Sequence, residues 1–441
     1  MVRRVVITGM GAVTPLGYNV EETWKNILSG ASGIGATSLF DAGTFPTTFS
    51  AQVNGYNHLE ELPEEMRDAH KDAGRNSRFI IGAAMQAWRQ AGLPVRLGSE
   101  RAADGLPGAE RVGIYLGAGE GPLDFDNFIA PVVDGWDKEK REMNWQGWAK
   151  TAFERMDAVR ELEQEPNMPE AHLANIFQVR GPCVSCLTAC AASTQAIGEA
   201  TELIREGQAD VMITGGTHSM IHPLGITGFN RLTALSTRND DPATASRPFD
   251  RERDGFVVAE GAGAMVIEAL ETAQKRGANI LAEIVGFGST ADAFRVTDQH
   301  EDGRGGIAAV RQALEDAGLS GNEIDYISAH GTGTKENDSI ETHIIKSVFG
   351  DAACKIPVSS VKSMLGHLIA AAGAVELITC ILAIRDQVLP PTMHLNERDP
   401  NCDLDYVPNK PRKANVNIAM SNSFGFGGQN NILIIRKFEG E

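Results

Sequence analysis

The sequence predicts an α/β protein in which one structural unit occurs twice. Apolar, β-branched runs recur along it: RRVVIT near the start, VGIYLGAG at 112, VMITGG at 211, VVAEGAGAMVIEAL at 257, ILAEIVGFG at 280, IDYISAHG at 324, NIAMSNSFG at 417 and NILIIRK at 431. Helical stretches separate most of them, an alternation that predicts central strands covered on both faces. The order of elements also repeats. Residues 1–270 read as strand, helices, a strand ending in glycine, a cysteine-bearing helix and two strands. Residues 271–441 read as strand, helix, a strand ending AHGTGT, helix, the segment VKSMLGHLIAAAGAVE and two strands. The helices that start near Cys190 and near His367 hold equivalent places, and both are rich in small residues, which permits close packing.

Taken in order, the opening MVRRVVITGMGAVTPLG has two arginines and an apolar run, but Gly9 and Gly11 interrupt it before an export-signal core of adequate length forms. It reads as a first strand and turn. Between 120 and 180 the repeat is interrupted by a segment holding Trp136, Trp145 and Trp148. There Phe153, Met156, Val159 and Leu162 recur every third residue, the spacing of one face of a capping helix that ends before Pro166. Later, LIAAAGAVELITCILAI carries Glu376 and falls short of the roughly 20 apolar residues that a membrane span requires, so it reads as a buried helix. No low-complexity tract or long linker separates the halves.

The totals narrow the classes of function. A chain of 441 residues can bury a large core without staples, and six cysteines without framework spacing fit a reducing cytoplasm. A net charge of -18 argues against a general nucleic-acid surface, which needs an excess of basic groups. Any acidic partner must meet a local basic patch.

Three cysteines fall within eight residues, at 183, 186 and 190. As zinc ligands they lack a fourth partner, because Cys354, Cys380 and Cys402 form no second pair. A redox pair of Cys183 and Cys186 is also weak, since their neighbours Val184, Ser185 and Leu187 suggest a strand running into a core, where small cysteines pack. Cys190 differs. It stands at the start of a small-residue helix, where free backbone N–H groups and the helix dipole favour a thiolate and lower the thiol pKa. A nucleophile fits that position, and so does a core cysteine.

The second half offers partners. His330 ends a strand in AHGTGTKEND, at the kind of strand end where α/β sites gather. Lys362 and His367 lie five residues apart in the apolar SSVKSMLGHLIAAAG, where neither belongs unpaired. SNSFGFGGQNN is a bendable loop with exposed N–H groups, suited to an oxyanion donor, a lid or a plain strand connection.

Together TGMGAVTPLG, CLTACAAS, ALSTRND, SRPFDRERDGFVVAEGAG, AHGTGTKEND, SSVKSMLGHLIAAAG and SNSFGFGGQN resemble the elongating beta-ketoacyl-acyl-carrier-protein synthases, from about residue 3 to 436. The resemblance implies a thiolase-like fold of two βαβαβαββ halves in α-β-α-β-α layers, a homodimer, and an acyl carrier protein as partner. It implies decarboxylative condensation of an acyl thioester with malonyl carrier in fatty acid biosynthesis, without metal or organic cofactor. The nucleophile then falls on Cys190, and the histidines that bind the enolate oxygen on His330 and His367. The oxyanion N–H groups fall on Cys190 and Phe424, and the gate on Phe424 as well. Lys362 is expected to pair with Glu341, with Asp338 as a second supporting carboxylate. Thr332 and Thr334 would contact the phosphopantetheine arm, and Lys71, Arg75 and Arg78 would receive the carrier.

Departures from the family pattern bear on substrate. The loop after Asp292 and Thr297 carries the polar DQHEDGRG, Gln429 stands where threonine or histidine is common, and the 120–180 segment is longer than usual, which points to a reshaped acyl pocket. A polyketide or polyene synthase shares the chemistry. A silent chain-length partner would lack Cys190, and thiolases and chain-initiating synthases typically replace the second histidine.

Overall fold

The computed structural model describes residues 2–97, 106–121 and 123–440. Ten strands form its main sheet: β1 (Val5–Val13), β2 (Val112–Ala118), β3 (Cys183–Cys186), β4 (Val211–His218), β5 (Gly261–Ala269), β6 (Ala282–Ala291), β7 (Tyr326–Ser328), β8 (Val358–Ser359), β9 (Ile418–Gly425) and β10 (Gln429–Arg436). Their order is β8-β7-β9-β10-β6-β1-β5-β4-β2-β3. Reading outward from the middle, one arm runs β1-β5-β4-β2-β3 and the other β6-β10-β9-β7-β8, the same path twice. In each arm the outer three strands are parallel and the inner pairs antiparallel. The arms meet where Val5, Val6 and Ile7 of β1 pair with Ile284, Glu283 and Ala282 of β6.

Five helices position the site: α1 (Arg75–Gln90), α2 (Ala192–Arg205), α3 (Arg304–Ala317), α4 (Lys335–Phe349) and α5 (Ala372–Asp386). Helix α1 packs on β1 and β5, and α3 packs on β6 and β10 with α4 beside it. Helices α2 and α5 lie against each other between the arms, α2 on β2 and β4 and α5 on β9 and β5. The layers are therefore helix, sheet, helix, sheet, helix. Small residues allow the central contact: a Cβ on Gly373 of α5 would stand 1.9 Å from Thr194 Oγ1 of α2. As expected, α5 is buried from Ala372 to Ile384. No helix among the described residues is long and apolar enough to cross a membrane.

Three local expectations change. Gly9 and Gly11 form no turn; β1 continues through them, fully buried. A Cβ at either would come within about 2 Å of the carbonyl oxygens of Ala87 and Ala83, so these glycines let α1 lie close on the strand. The 120–180 segment is not one periodic helix there. Trp145–Arg155 and Ala158–Leu162 are separate helices, because Asp157 caps the second by accepting from the N–H groups of Val159 and Arg160. The expected apolar face lies open, with Phe153 94% exposed and Leu162 54%. Cys183 is also exposed and Cys186 half-buried, because β3 is the edge strand of its arm.

Candidate active site

Three turns at strand and helix ends converge. Cys190 sits in the 3-10 turn Ala189–Ala191 that leads into α2, after Ala189 with φ 48°. His330 follows β7, and His367 lies between the short helix Lys362–Leu365 and the 3-10 turn Ile369–Ala371. Ile369, which precedes α5 as Ala189 precedes α2, repeats the φ of 48°. Such left-handed strain at non-glycine residues costs of order 1–3 kcal/mol and persists where the surroundings impose it. All three side chains are buried, and a ligand atom from each lies within 4.8 Å of the others. The imidazoles cross edge to face, their centroids 5.3 Å apart.

Hydrogen bonds set the tautomers. The N–H of Ile369 donates to His367 Nδ1 at 3.1 Å, so the proton of the neutral ring is on Nε2, which has no partner among the described residues. Lys362 Nζ stands 3.4 Å from His330 Nδ1 and donates to the His330 carbonyl at 2.7 Å, placing the proton of His330 on Nε2 as well. Burial, then the Lys362 ammonium, hold both imidazoles well below their ordinary pKa, hence neutral. Two Nε2–H donors thus face the thiol. This arrangement fits a metal ion poorly. A metal on Nε2 needs that nitrogen's lone pair and a proton on Nδ1, but both Nδ1 atoms face donors.

Burial also pushes the Cys190 thiol up, to about 11, while the Phe426 N–H, Lys362 and the N–H of Cys190 itself draw it down. The expected lowering by the helix start is outweighed, because the thiol is buried and α2 begins only at Ala192. The resting group is a neutral thiol.

Lys362 does not pair with Glu341. Its ammonium meets Glu376 of α5, both side chains at most 3% exposed. Glu341 is already occupied, accepting from the N–H groups of His330 and Gly331 at 2.8 Å each and from Asn422 Nδ2 at 3.0 Å. It holds the His330 turn. Asp338 does the same one loop further on, accepting from Phe249 N–H at 2.7 Å and Gly333 N–H at 3.2 Å, with Arg253 at 3.5 Å.

Phe426, not Phe424, brings its N–H to the thiol. Phe424 is buried with its ring 6.0 Å from that of His330, in the core cluster beneath α3, whereas Phe426 is part of the cluster around Cys190. Side chains alternate along β9, and the strand ends at Gly425, which frees the next residue to turn. Gly427 and Gly428 follow at φ 83° and 76°.

A cavity of about 400 Å³ opens onto these groups, lined among others by Phe256, Thr297, Thr332 and Thr334. The hydroxyls of Thr332 and Thr334 are 3.0 Å apart. Asp292 stands behind the rim, its N–H donating to Gly428 O and its Oδ1 accepting from Asn430. Trp136, Trp145 and Trp148 do not line this cavity, nor do Lys71, Arg75 or Arg78. Arg75 is occupied by the buried Glu260 and the Val53 carbonyl, so it is no free docking cation. Lys71 is exposed beside Asp68, and Arg78 is exposed with its Nε on Ala73 O. Sequence reading missed Glu376, Phe426 and Phe256. Glu376 had left a signal, a carboxylate within an apolar helix, which needs a partner.

The N-terminal domain model of beta-ketoacyl synthase matches residues 2–273, and the C-terminal domain model matches 281–396. The chain belongs to the beta-ketoacyl synthase family. It is 40% identical over 437 residues to 3-oxoacyl-(acyl-carrier-protein) synthase 2 of Coxiella burnetii, and 41% identical over 440 to the protein of that name from Staphylococcus aureus, with 99% of each chain covered. Among solved structures, a ketosynthase in complex with a type II polyketide acyl carrier protein superposes with TM-score 0.85 at 32% identity over 100% of both chains. A beta-ketoacyl synthase from Burkholderia phymatum gives the same score and identity over 99% of this chain and 100% of its own. The fold is thiolase-like. This member is an acyltransferase that elongates an acyl thioester by condensation in fatty acid biosynthesis.

Proposed function

We propose that Cys190 is the acyl acceptor of a decarboxylative condensation and that His330 and His367 bind the enolate it captures. The observation that carries this reading is the pair of neutral imidazoles whose Nε2–H donors face one buried thiol. Cys190 attacks the acyl thioester of the loaded carrier, and the proton of its thiol leaves on the carrier's thiol. Exchange between thioesters is nearly isoenergetic, which parks the chain while the first carrier departs. Malonyl carrier follows, its arm running past Thr332 and Thr334. Breakage of the bond to the carboxylate releases carbon dioxide and leaves an enolate, whose oxygen accepts from the two Nε2–H groups. The enolate carbon then attacks acyl-Cys190, and the N–H groups of Cys190 and Phe426 hold the tetrahedral oxyanion. Collapse frees the 3-oxoacyl carrier, and the Cys190 thiolate takes one proton from solvent.

Lys362, held by Glu376, keeps His330 in its donating tautomer, while Glu341 and Asp338 fix the turns. No group besides these and the carrier's phosphopantetheine is required. The same reading makes the chain a cytoplasmic homodimer served by an acyl carrier protein, with the nucleophile in residues 1–270 and the histidines in 271–441. The solved neighbour bound to its carrier supports the partner, and the exposed edge strand β3, with Val184 37% exposed and Leu187 just after it 53%, supports a face for a second copy. Lys71 and Arg78 are the docking cations.

Intact mass after treatment with acyl carrier tests the nucleophile. Cys190→Ala should carry no adduct while Cys183→Ala and Cys186→Ala keep it; an adduct persisting on Cys190→Ala refutes the assignment.

A further inference from the structure

The loop that follows Asp292 brings Gln299 into the lining of the cavity above Cys190, together with Thr332, Thr334 and Asn337. The loop is tied down twice. The Gly427 N–H donates to the Val296 carbonyl at 2.6 Å, and Gln299 Nε2 donates to Asn337 Oδ1 at 3.3 Å.

A carboxylate sets the orientation of both side-chain amides. Asp338 accepts from the N–H groups of Phe249 and Gly333, so its oxygens are acceptors, and Asn337 turns Nδ2 to Asp338 Oδ1 at 3.1 Å. Asn337 Oδ1 is then the atom left for the loop, and an oxygen needs a donor, so Gln299 meets it with Nε2. The other end of that amide, Gln299 Oε1, is buried and has no partner among the described residues. Leaving a buried carbonyl oxygen without a donor is costly, and a ligand N–H in the cavity removes that cost.

The threonines have the complementary surplus. Thr334 Oγ1 accepts from the Asn337 N–H and Thr332 Oγ1 from the Thr334 N–H, each at 3.3 Å, and the two hydroxyls stand 3.0 Å apart. One hydroxyl donates to the other, which uses one O–H and leaves the second free to donate into the cavity. The cavity wall thus offers an acceptor and a donor, the two groups that a secondary amide needs for its N–H and its C=O.

We propose that Gln299 is a specificity residue whose Oε1 accepts from an amide N–H of the phosphopantetheine arm, while the Thr332 and Thr334 pair donates to an amide carbonyl of the same arm. The inference deepens, and rests on, the reading that the arm runs past those threonines to Cys190. Gln299 belongs to the polar DQHEDGRG stretch that departs from the family pattern, so this contact is a property of this chain. The arm carries two secondary amides. Replacing either N–H by an ester oxygen removes a donor and, at the amide that Gln299 reads, turns a lone pair toward Oε1.

The test uses the full chain and three thioesters of one saturated acyl group: the pantetheine thioester and two analogues, each with one of the two amide N–H groups replaced by an ester oxygen. Adduct formation on Cys190 is followed by intact mass across a range of thioester concentrations. One analogue should acylate the wild type at least about 10-fold less efficiently than the pantetheine thioester, chiefly through weaker apparent affinity. Gln299→Met keeps the length and removes the acceptor. It should slow acylation from the pantetheine thioester and bring the disfavoured analogue to within about twofold of it. A glutamine that only held the loop would slow all three substrates alike and leave their ratios unchanged. Wild-type ratios within about twofold of unity for both analogues overturn the proposal by themselves and leave the nucleophile assignment standing. So does a wild-type preference that a folded Gln299→Met retains, because another group then reads the amide. If no thioester labels the folded wild type, the nucleophile assignment fails and this inference with it.

Discussion

Replacing Lys362 by Met should expose the pairing that the structure shows. Lys362 and Glu376 are 1% and 3% exposed and in contact, so removing the ammonium leaves a buried carboxylate without its cation. At an ion-pair separation of about 3 Å and an effective dielectric near 20, the interaction amounts to about 5 kcal/mol. Measured losses on breaking buried pairs run to about 3–5 kcal/mol. Urea unfolding should therefore place Lys362→Met and Glu376→Gln each several kcal/mol below wild type. The double variant should fall well short of the sum, because the second change removes the group that the first left stranded. Glu341→Gln should couple to Lys362→Met much less than Glu376→Gln does, since Glu341 and Lys362 meet only through the backbone and ring of His330. The activity readout is release of labelled carbon dioxide from malonyl carrier. Lys362→Met frees His330 Nδ1 to take the proton, which removes one enolate donor and should slow that step about 100-fold or more. Strong coupling of Lys362 to Glu341 with none to Glu376 would refute the assigned pair.

His330→Ala and His367→Ala should each slow carbon dioxide release by about 100 to 1,000-fold while adduct formation on Cys190 falls far less; equal loss of both steps contradicts the division of labour. Folding stability should decline as the medium is acidified from the ordinary histidine value of 6.5 toward about 4, because in that window unfolded His218 takes a proton that folded His218 refuses. Denaturant titrations should show His218→Leu removing about 1 kcal/mol per pH unit of that slope, and an unchanged slope would show that the ring is hydrated when folded. Gly117→Ala should lower unfolding free energy by about 1–3 kcal/mol and slow acylation, since its Cβ would stand 2.3 Å from the backbone of Ala192 and Ser193, beside the nucleophile turn. Retention of both properties would mean that β2 and α2 can separate without consequence.

Periodicity, glycine placement and residue type determined a great deal here. The strand runs, the buried helix at 372–386 and the repeat of elements follow from where apolar residues recur, because that pattern decides which surface must leave water. Cys190, His330 and His367 stood out as candidates because each lies at the end of an element in a small-residue or apolar context, and the fold adds that the three come together. Only the tertiary structure decided which groups meet. Glu341 and Glu376 are both carboxylates on helices of the second half, and nothing local says which one Lys362 reaches; the sandwiching of α5 between the two arms does. The ring of Phe424 and the N–H of Phe426 differ by one alternation at the end of β9, which depends on where the strand stops. Arg75 looked like a docking cation until the fold placed Glu260 against it, and the Cys190 thiol looked activated until burial was known. His218 is an ordinary strand residue in sequence. Its ring nitrogens, without a partner among the described residues, lie over Gly119, a contact between residues almost one hundred positions apart that no local pattern records.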